Sequence, residues 1–353
     1  MLWLTHQHLD DNRKTAKITF VIDECIFLLN ASRRIFLLWT LHPKNFEIST
    51  VQFNGDEVEA PTSLYGCHVA IHDRKAYMWH GRAQRLYCYD PVVRTWSVIP
   101  TVGAIPSGRY GSACVQSEDT LIVHGGFDEE RLEQVRDTRR LRLDTMMWEI
   151  VQTHGDPPSV NDRHFAGVII GRKMYVIADD VTHHWTLDLC TLIWSKVSVA
   201  EPLPATNEFI PFSVNDRLFI FGGQSSDQLP SNLLYRFDED TGVWSQIIPC
   251  GSPPLERLSC SIVVIGSRVF IIDGCGRLEE DHMANLSEVS VLELDPSLFD
   301  HAARAVLVDE KNRSVCLDVL PAVISRQLIS VRKEDKPTAF SAPSGNVPIN
   351  RYI

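Results

Sequence analysis

The chain has 353 residues, of which 44% are hydrophobic, and a formal net charge of −11. This length allows a large buried core, and no lysine and arginine cluster rises above the acidic background, which argues against nucleic acid as the primary ligand. The nine cysteines are scattered and form no C-x-x-C pair, which argues against a zinc site.

The N-terminal sequence predicts neither export nor membrane insertion. It lacks a basic segment followed by an unbroken apolar core. The apolar run at residues 20–39 is interrupted by four charged residues and cannot cross a membrane. We therefore expect no membrane association and a reducing cytoplasmic or nuclear location.

Residues 109–148 contain the clearest structural unit. An apolar run at residues 120–123 ends at Gly125-Gly126, and after a polar loop an alternating segment leads to Trp148. Short apolar runs bounded by Gly and Asp predict strands, and paired glycines allow close backbone approach. A small sheet of this kind cannot bury both faces alone, so neighbouring copies are expected.

The unit repeats along the chain. Its closing tryptophan recurs at intervals of 52, 46 and 50 residues, at Trp96, Trp148, Trp194 and Trp244. These intervals match the roughly 50-residue period of kelch blades. A β-sandwich would also be rich in short strands, but it has no reason to repeat a whole strand–loop–strand unit. The sequence therefore predicts a β-propeller.

The two ends of the repeat region complement each other. The sixth unit begins at Arg257 and stops at Asp295-Pro296 without a closing tryptophan. Because a ring avoids an unpaired edge, we predict that residues 1–8 complete the last blade and that Trp3 takes the missing position. The first unit, residues 17–53, is the least faithful, with Trp39 out of register. The predicted fold is an all-β, six-bladed kelch β-propeller over residues 1–295.

After Pro296 the pattern changes from strand to helix. Ser297 suits a helix N-cap, and Leu298, Ala302 and Val306 follow on one face. We predict a short helical appendage over residues 296–331. Residues 332–353 are rich in Lys, Glu, Pro, Ser and Gly and are predicted to be a disordered tail.

The sequence offers little for catalysis. No spacing pairs the histidines with carboxylates as metal ligands. The segment at residues 238–244 is similar to a sialidase aspartate box, but it is one residue short and has no further copies. We expect no cofactor, no metal and no enzymatic activity.

A binding surface is better supported by the repeat. Three arginines occupy equivalent opening positions of blades, two of them followed by Tyr or His, and the fifth blade has Asn there. Such positions converge around the axis, where guanidiniums can bind a carboxylate bidentately. Alternatively, each arginine pairs with an acidic residue in a neighbouring loop and holds blades together. The candidate residues are Arg109, Tyr110, Arg163, His164, Asn207 and Arg257.

The propeller and its appendage together resemble the kelch-domain-containing substrate receptors of cullin-RING ubiquitin ligases, in particular the kelch domain-containing protein 3 (Peas) group. The segment LSEVSVLELDPSLFDHAARAVL at residues 286–307 looks like an Elongin C-binding box, and LPAVI at residues 320–324 looks like a cullin box. One departure is Ala302, where the family usually has Cys. The resemblance implies Elongin C contacts by Ser297, Leu298, Ala302 and Val306 and cullin contacts by Leu320, Pro321 and Ile324.

The resemblance implies a non-catalytic substrate-recognition subunit whose partners are Elongin B and C, a cullin scaffold and client proteins. Relatives read C-terminal degrons with arginines in the propeller mouth. Asn207-Glu208 departs from that pattern, since an acidic side chain would repel a carboxylate. The alternative is a kelch interaction scaffold, cytoskeletal or chromatin-associated, in which the C-terminal helices only brace the ring.

Overall fold

Short apolar runs and tight turns fold into six antiparallel sheets. The computed structural model describes residues 1–8, 18–32, 35–54, 59–158, 165–178, 183–201, 203, 205–225, 227–279 and 282–294. Within these ranges every regular element is a β-strand. Residues Met1–Leu294 form one unit. The predicted helical appendage and tail lie outside the described residues.

Each of the six sheets contains four antiparallel strands and is one blade, numbered in chain order; the fourth strand of blade 6 comes from the N-terminus. Blade 1 consists of Ile18–Ile22, Cys25–Ser32, Ile35–Leu41 and Ile48–Thr50; blade 2 of Cys67–His72, Lys75–His80, Arg85–Asp90 and Thr95–Ile99; blade 3 of Ala113–Ser117, Thr120–His124, Thr138–Arg142 and Met147–Val151. Blade 4 consists of Phe165–Ile170, Lys173–Ala178, His183–Asp188 and Ile193–Ser198; blade 5 of Ile210–Val214, Arg217–Phe221, Leu234–Asp238 and Val243–Ile247; blade 6 of Ser261–Ile265, Arg268–Ile272, Glu288–Glu293 and Leu2–His8.

Blades 3 and 4 carry a fifth, parallel strand on their outer edges. These strands are Val102–Gly103 and His154–Gly155. A Cβ atom on either glycine would lie 2.3 Å from the carbonyl oxygen of Trp148 or Trp194, so the close approach requires glycine. Further short strands pair within the loops. Phe127–Asp128 pairs with both Arg109–Tyr110 and Glu133–Gln134. Ala205–Asn207 pairs with Gln224–Ser225, and Cys275–Glu279 pairs with His282–Asn285.

The N-terminal strand closes the last blade, as predicted. Leu2–His8 pairs antiparallel with Glu288–Glu293, and Trp3 lies opposite Leu292. Trp148 lies opposite Leu141 in the same way in blade 3. The prediction that Trp3 replaces the missing tryptophan of blade 6 is confirmed.

The irregularity of blade 1 has a simple explanation. Trp39 belongs to the third strand, opposite Leu28 and Thr50, so it is not the closing residue. Ile48 lies opposite Leu41 and takes that position. The fourth strand has only three residues, which explains why the pattern is weak there.

Apolar clusters fill the interfaces between neighbouring blades around the whole ring. Between blades 6 and 1, Phe270 and Val291 pack with Ile26 and Leu28. The first strand of blade 6 also contacts the first strand of blade 1. The same arrangement recurs between every other pair of neighbours. The described residues therefore form a closed six-bladed propeller.

One inter-blade core contains a buried histidine. His124, 1% exposed, lies 4.5 Å from Trp194 between ring centroids, and its Nδ1 is 2.9 Å from Thr138 Oγ1. Burial lowers the pKa of His124 to about 3. In the unfolded chain this histidine has an ordinary pKa of about 6.5. Between pH 3 and pH 6.5 the unfolded chain therefore binds one more proton than the folded chain.

This histidine predicts a pH-dependent loss of stability. Stability from His124 is present above pH 6.5 and is lost as the pH falls toward 3, by about 2 kcal/mol at pH 5. Urea unfolding of the wild type and His124→Gln at pH 5 and pH 8 measures it. The difference between the two pH values should be smaller in the variant by that amount. An equal difference in both proteins would contradict the prediction.

Candidate functional site

The connections leave each blade at two opposite ends. Two-residue turns join the first strand to the second, and turns of four residues in blades 2 to 5 and of six in blade 1 join the third strand to the fourth; we call this side of the ring the turn face. The connections between the second and third strands and between successive blades lie at the opposite end of the sheets and form the loop face. Arg109, Tyr110, Asn207 and Arg257 all lie in loop-face connections.

Arg109 is buried, and its guanidinium is engaged within blade 3. Nη1 donates to Asp137 Oδ1 at 2.5 Å and to Gly125 O at 3.3 Å, and Nε donates to Ser107 O at 3.2 Å. Burial tends to raise the pKa of the Asp137 carboxyl, but hydrogen bonds and charge from Arg109, and then from Arg139, hold that pKa below its ordinary value. The ion pair therefore fixes this loop.

Arg257 repeats these contacts in blade 6. Its Nε donates to Leu255 O at 2.9 Å and its Nη1 to Asp273 O at 2.9 Å, while Nη2 donates to Glu288 Oε1. Arg257 is fully buried and Glu288 is 5% exposed. The contacts of Arg109 and Arg257 match the alternative in which each arginine pairs with an acidic residue and stabilises the fold. They differ from it in one respect, since the carboxylate comes from the same blade, at or just before the third strand.

The remaining candidates are only partly described. The backbone of Asn207 pairs with Gln224, and the next residue, Glu208, accepts a hydrogen bond from Ser259 Oγ at 2.8 Å. This contact connects the loops that precede blades 5 and 6. Several predicted residues lie outside the described ranges: Arg163, His164, Ser297, Leu298, Ala302, Val306, Leu320, Pro321 and Ile324.

A partly exposed group of aromatic rings lies on the loop face between blades 2 and 3. We call Tyr65, Tyr110, Phe127 and Arg82 the aromatic cluster. The Tyr65 and Tyr110 ring centroids are 5.6 Å apart, and those of Tyr110 and Phe127 are 5.7 Å apart. Tyr65 is 52% exposed. Exposed aromatic rings grouped with arginine are typical of protein interfaces.

Arg82 connects the rings of this cluster. Its guanidinium carbon lies 5.3 Å from the Tyr65 centroid and 5.8 Å from the Tyr110 centroid, within cation–π range. Two nitrogens donate to Glu129 at 2.8 and 2.6 Å. Burial and the neighbouring Tyr110 raise the pKa of Tyr65, although Arg82 opposes them.

Sequence reasoning found only Tyr110 of this cluster. A signal for Tyr65 was present, since Tyr65-Gly66 and Tyr110-Gly111 are the same dipeptide at the same place in blades 2 and 3. Phe127 is held by the short strand that pairs with Arg109–Tyr110. The positions of Arg82 and Glu129 depend on two different loops and have no sequence pattern.

The described residues include groups suited to binding a peptide. Within them, no group of three or more His, Cys, Asp or Glu side chains is arranged to hold a metal ion. The described part of the chain also includes no helix with the length and apolar character needed to cross a bilayer. Aromatic rings, a guanidinium and a carboxylate can bind a peptide by stacking and hydrogen bonds.

Comparison with known proteins identifies the repeat. The family model for the KLHDC2/KLHL20/DRC7 kelch-repeats domain matches residues 30–179 and 66–274. The chain belongs to this kelch-repeat family. The aromatic cluster and both buried arginines lie within the matched residues.

Kelch relatives include proteins with different names and lengths. Kelch domain-containing protein 3 of Bos taurus is 25% identical over 274 residues, covering 69% of this chain and 71% of that protein. The Rab9 effector protein with kelch motifs of Xenopus laevis is 25% identical over 200 residues, covering 52% of this chain and 54% of that protein. Acyl-CoA-binding domain-containing protein 4 of Arabidopsis thaliana is 28% identical over 244 residues, 64% of this chain and 36% of that protein. The kelch propeller of this chain is thus a protein-interaction module.

Proposed function

We propose that this kelch protein is a non-catalytic client-recognition subunit of a cullin-RING ubiquitin ligase. The loop face of the propeller binds the client, and the segment after residue 294 binds Elongin C and the cullin. Ubiquitin then reaches the client by proximity. The observation that carries the proposal is the partly exposed aromatic cluster on a closed ring, in a chain whose sequence then carries the two box-like segments.

The boundary of the ring supports this division of the chain. Residues 286–307 resemble an Elongin C-binding box, but Glu288–Glu293 forms the third strand of blade 6 and is buried throughout. These residues are unavailable to a partner. The proposed Elongin contacts therefore start at Ser297 and Leu298, a few residues after the ring ends at Leu294.

The client site is proposed to centre on the aromatic cluster rather than on the buried arginines. Arg109 and Arg257 are occupied by Asp137 and Glu288. Arg82 is 42% exposed in its side chain and is held by Glu129, whose carboxylate a client carboxylate can replace. Such a carboxylate is available at a client's C-terminal degron.

The aromatic cluster gives a prediction for client binding. Tyr65→Ala should weaken capture of C-terminal client peptides by at least about fivefold, because truncating a central interface aromatic usually costs more than 1 kcal/mol. Peptide arrays with free and amidated C-termini measure it. Val92→Ala, an exposed residue on the turn face of the same blade, is the matched control. Equal capture of free and amidated ends would contradict carboxylate reading.

The ligase role is tested by capture of Elongin B and C. Co-expression with the full chain should give a stable complex, and Leu298→Asp should abolish it because an unpaired charge cannot be buried in an apolar contact. Ala302→Cys, which restores the family residue, should retain or strengthen capture. If the wild type never captures Elongin C, the ligase role is wrong and the interaction-scaffold alternative remains.

A further inference from the structure

A second candidate binding site lies on the turn face, opposite the aromatic cluster. A groove of about 610 Å³ opens there between blades 3 and 4. This volume is within the range of ligand sites, about 300–1,000 Å³. Ile169, Leu189 and Leu192 give it a half-buried apolar wall, and Arg140 and Arg172 add two guanidiniums. Glu118 also lines it, so the groove combines apolar surface with two guanidiniums and one carboxylate.

The two arginines differ in how their charges are balanced. Arg140 donates to Glu149 at 2.6 Å. Arg172 donates Nε and Nη2 to Cys190 Sγ, and sulfur is only a weak acceptor. In the described part of the chain, Arg172 makes no hydrogen bond or ion pair with a carboxylate. Asp188 and Glu118 act on it only from a longer distance.

The repeat provides an internal comparison for Arg172. Arg74 has the same place in blade 2, as the second residue of the turn between the first two strands. There Nε and Nη2 donate to Asp23 of blade 1 at 2.9 and 2.5 Å. Glu118 of blade 3 is the equivalent of Asp23, but Arg172 donates to the Cys190 thiol and not to Glu118. Of the two arginines, Arg172 is thus the one whose described hydrogen bonds go to a thiol and not to a carboxylate.

The nearest other carboxylate is already used by the fold. Asp188 Oδ1 accepts hydrogen bonds from the backbone N–H groups of Cys190 at 2.9 Å and Thr191 at 2.8 Å. It holds the turn between the third and fourth strands of blade 4, and among the described contacts it makes no hydrogen bond to Arg172. Arg172 is exposed, so its guanidinium is open to a carboxylate of a bound partner.

We propose that this groove binds an extended peptide of a partner protein in which an acidic side chain lies beside leucine-like residues. The carboxylate replaces Cys190 Sγ as the bidentate acceptor of Arg172, and the apolar side chains pack against Leu189 and Ile169. The proposal is independent of client binding on the loop face, because the two sites lie at opposite ends of the sheets. It gives the ring a second partner surface.

The test uses fluorescein-labelled, C-terminally amidated pentapeptides that contain leucine and glutamate in every order. Each peptide has a control copy in which glutamine replaces glutamate. Binding to the full chain is measured by fluorescence anisotropy. At least one acidic peptide should bind, and its glutamine copy should bind at least about tenfold more weakly, because a charge-assisted bidentate pair is lost. Arg172→Gln should weaken the acidic peptide by a similar factor. Arg74→Gln, the matched control, should leave it unchanged.

Three outcomes would overturn the proposal. These are no binding by any acidic peptide up to millimolar concentration, equal binding by the Arg172→Gln variant, or a loss of binding with Arg74→Gln as large as that with Arg172→Gln. Octanoate is the competing probe for a small-molecule site. If octanoate binds in an Arg172-dependent way and the peptides do not, the groove binds small carboxylates and the peptide assignment is wrong. Tyr65→Ala and Leu298→Asp should leave peptide binding in this groove unaltered. Failure of the ligase proposal can therefore be distinguished from failure of the groove proposal.

Discussion

A chain that lacks residues 1–8 is expected to lose cooperative unfolding of the whole ring. The deletion removes the outer strand of blade 6 and exposes the edge of Glu288–Glu293. It also removes Trp3, which is 5% exposed and lies 6.2 Å from Phe221 between ring centroids. Loss of one buried tryptophan side chain alone costs about 3–5 kcal/mol, against a total stability of about 5–15 kcal/mol for a typical domain.

Thermal unfolding followed by near-ultraviolet circular dichroism measures this effect. The truncated chain should show no sharp transition, and a synthetic peptide of residues 1–8 added in excess should restore part of it. Trp3→Phe is the control, because it keeps the strand and most of the buried apolar surface, and it should unfold cooperatively at a lower midpoint. A truncated chain with the wild-type midpoint would show that the strand does not close the ring.

Replacement of Glu288 by glutamine is expected to destabilise the protein by about 3–5 kcal/mol, because removing one partner of a buried ion pair leaves the other charge uncompensated. Arg257 is fully buried and has no access to water as a substitute partner. The equivalent Asp137→Asn change should cost less, since Asp137 is partly exposed and Arg109 retains its bonds to Ser107. Urea unfolding at pH 7 measures both.

A surface pair is the matched control for the buried one. Glu133 lies 3.8 Å from Arg131, and both side chains are at least 60% exposed. Glu133→Gln should change stability by no more than about 1 kcal/mol. Combining Arg257→Met with Glu288→Leu should recover much of the loss, because no unpaired charge remains. A Glu288→Gln variant as stable as Glu133→Gln would mean that the pair does not brace the loop face.

The sequence was sufficient to predict the ring because its strongest signals are local. A tryptophan at about 50-residue intervals marks the fourth strand of blades 2 to 5, and the missing copy in blade 6 directed attention to Trp3. In blade 1 this signal fails, because Ile48 fills the position and Trp39 lies in the third strand. Because isoleucine fills the same core position as tryptophan, the tryptophan signal is lost although the fold is kept.

The role of the arginines was less predictable because it depends on distant partners. Arg109 meets Asp137 28 residues later, and Arg257 meets Glu288 31 residues later. Both acids stand at or just before the third strand, a regularity that becomes visible only when the strand bounds are known. The aromatic cluster combines side chains from several loops, so no single stretch of sequence contains its pattern.

Hydrogen exchange of the intact chain, followed by mass spectrometry of its peptides, tests the closed ring most directly. We expect alternate backbone amides of residues 2–8, those that face Glu288–Glu293 in the shared ladder, to exchange slowly. Exchange of residues 2–8 within seconds, with Arg268–Ile272 still protected, would contradict it.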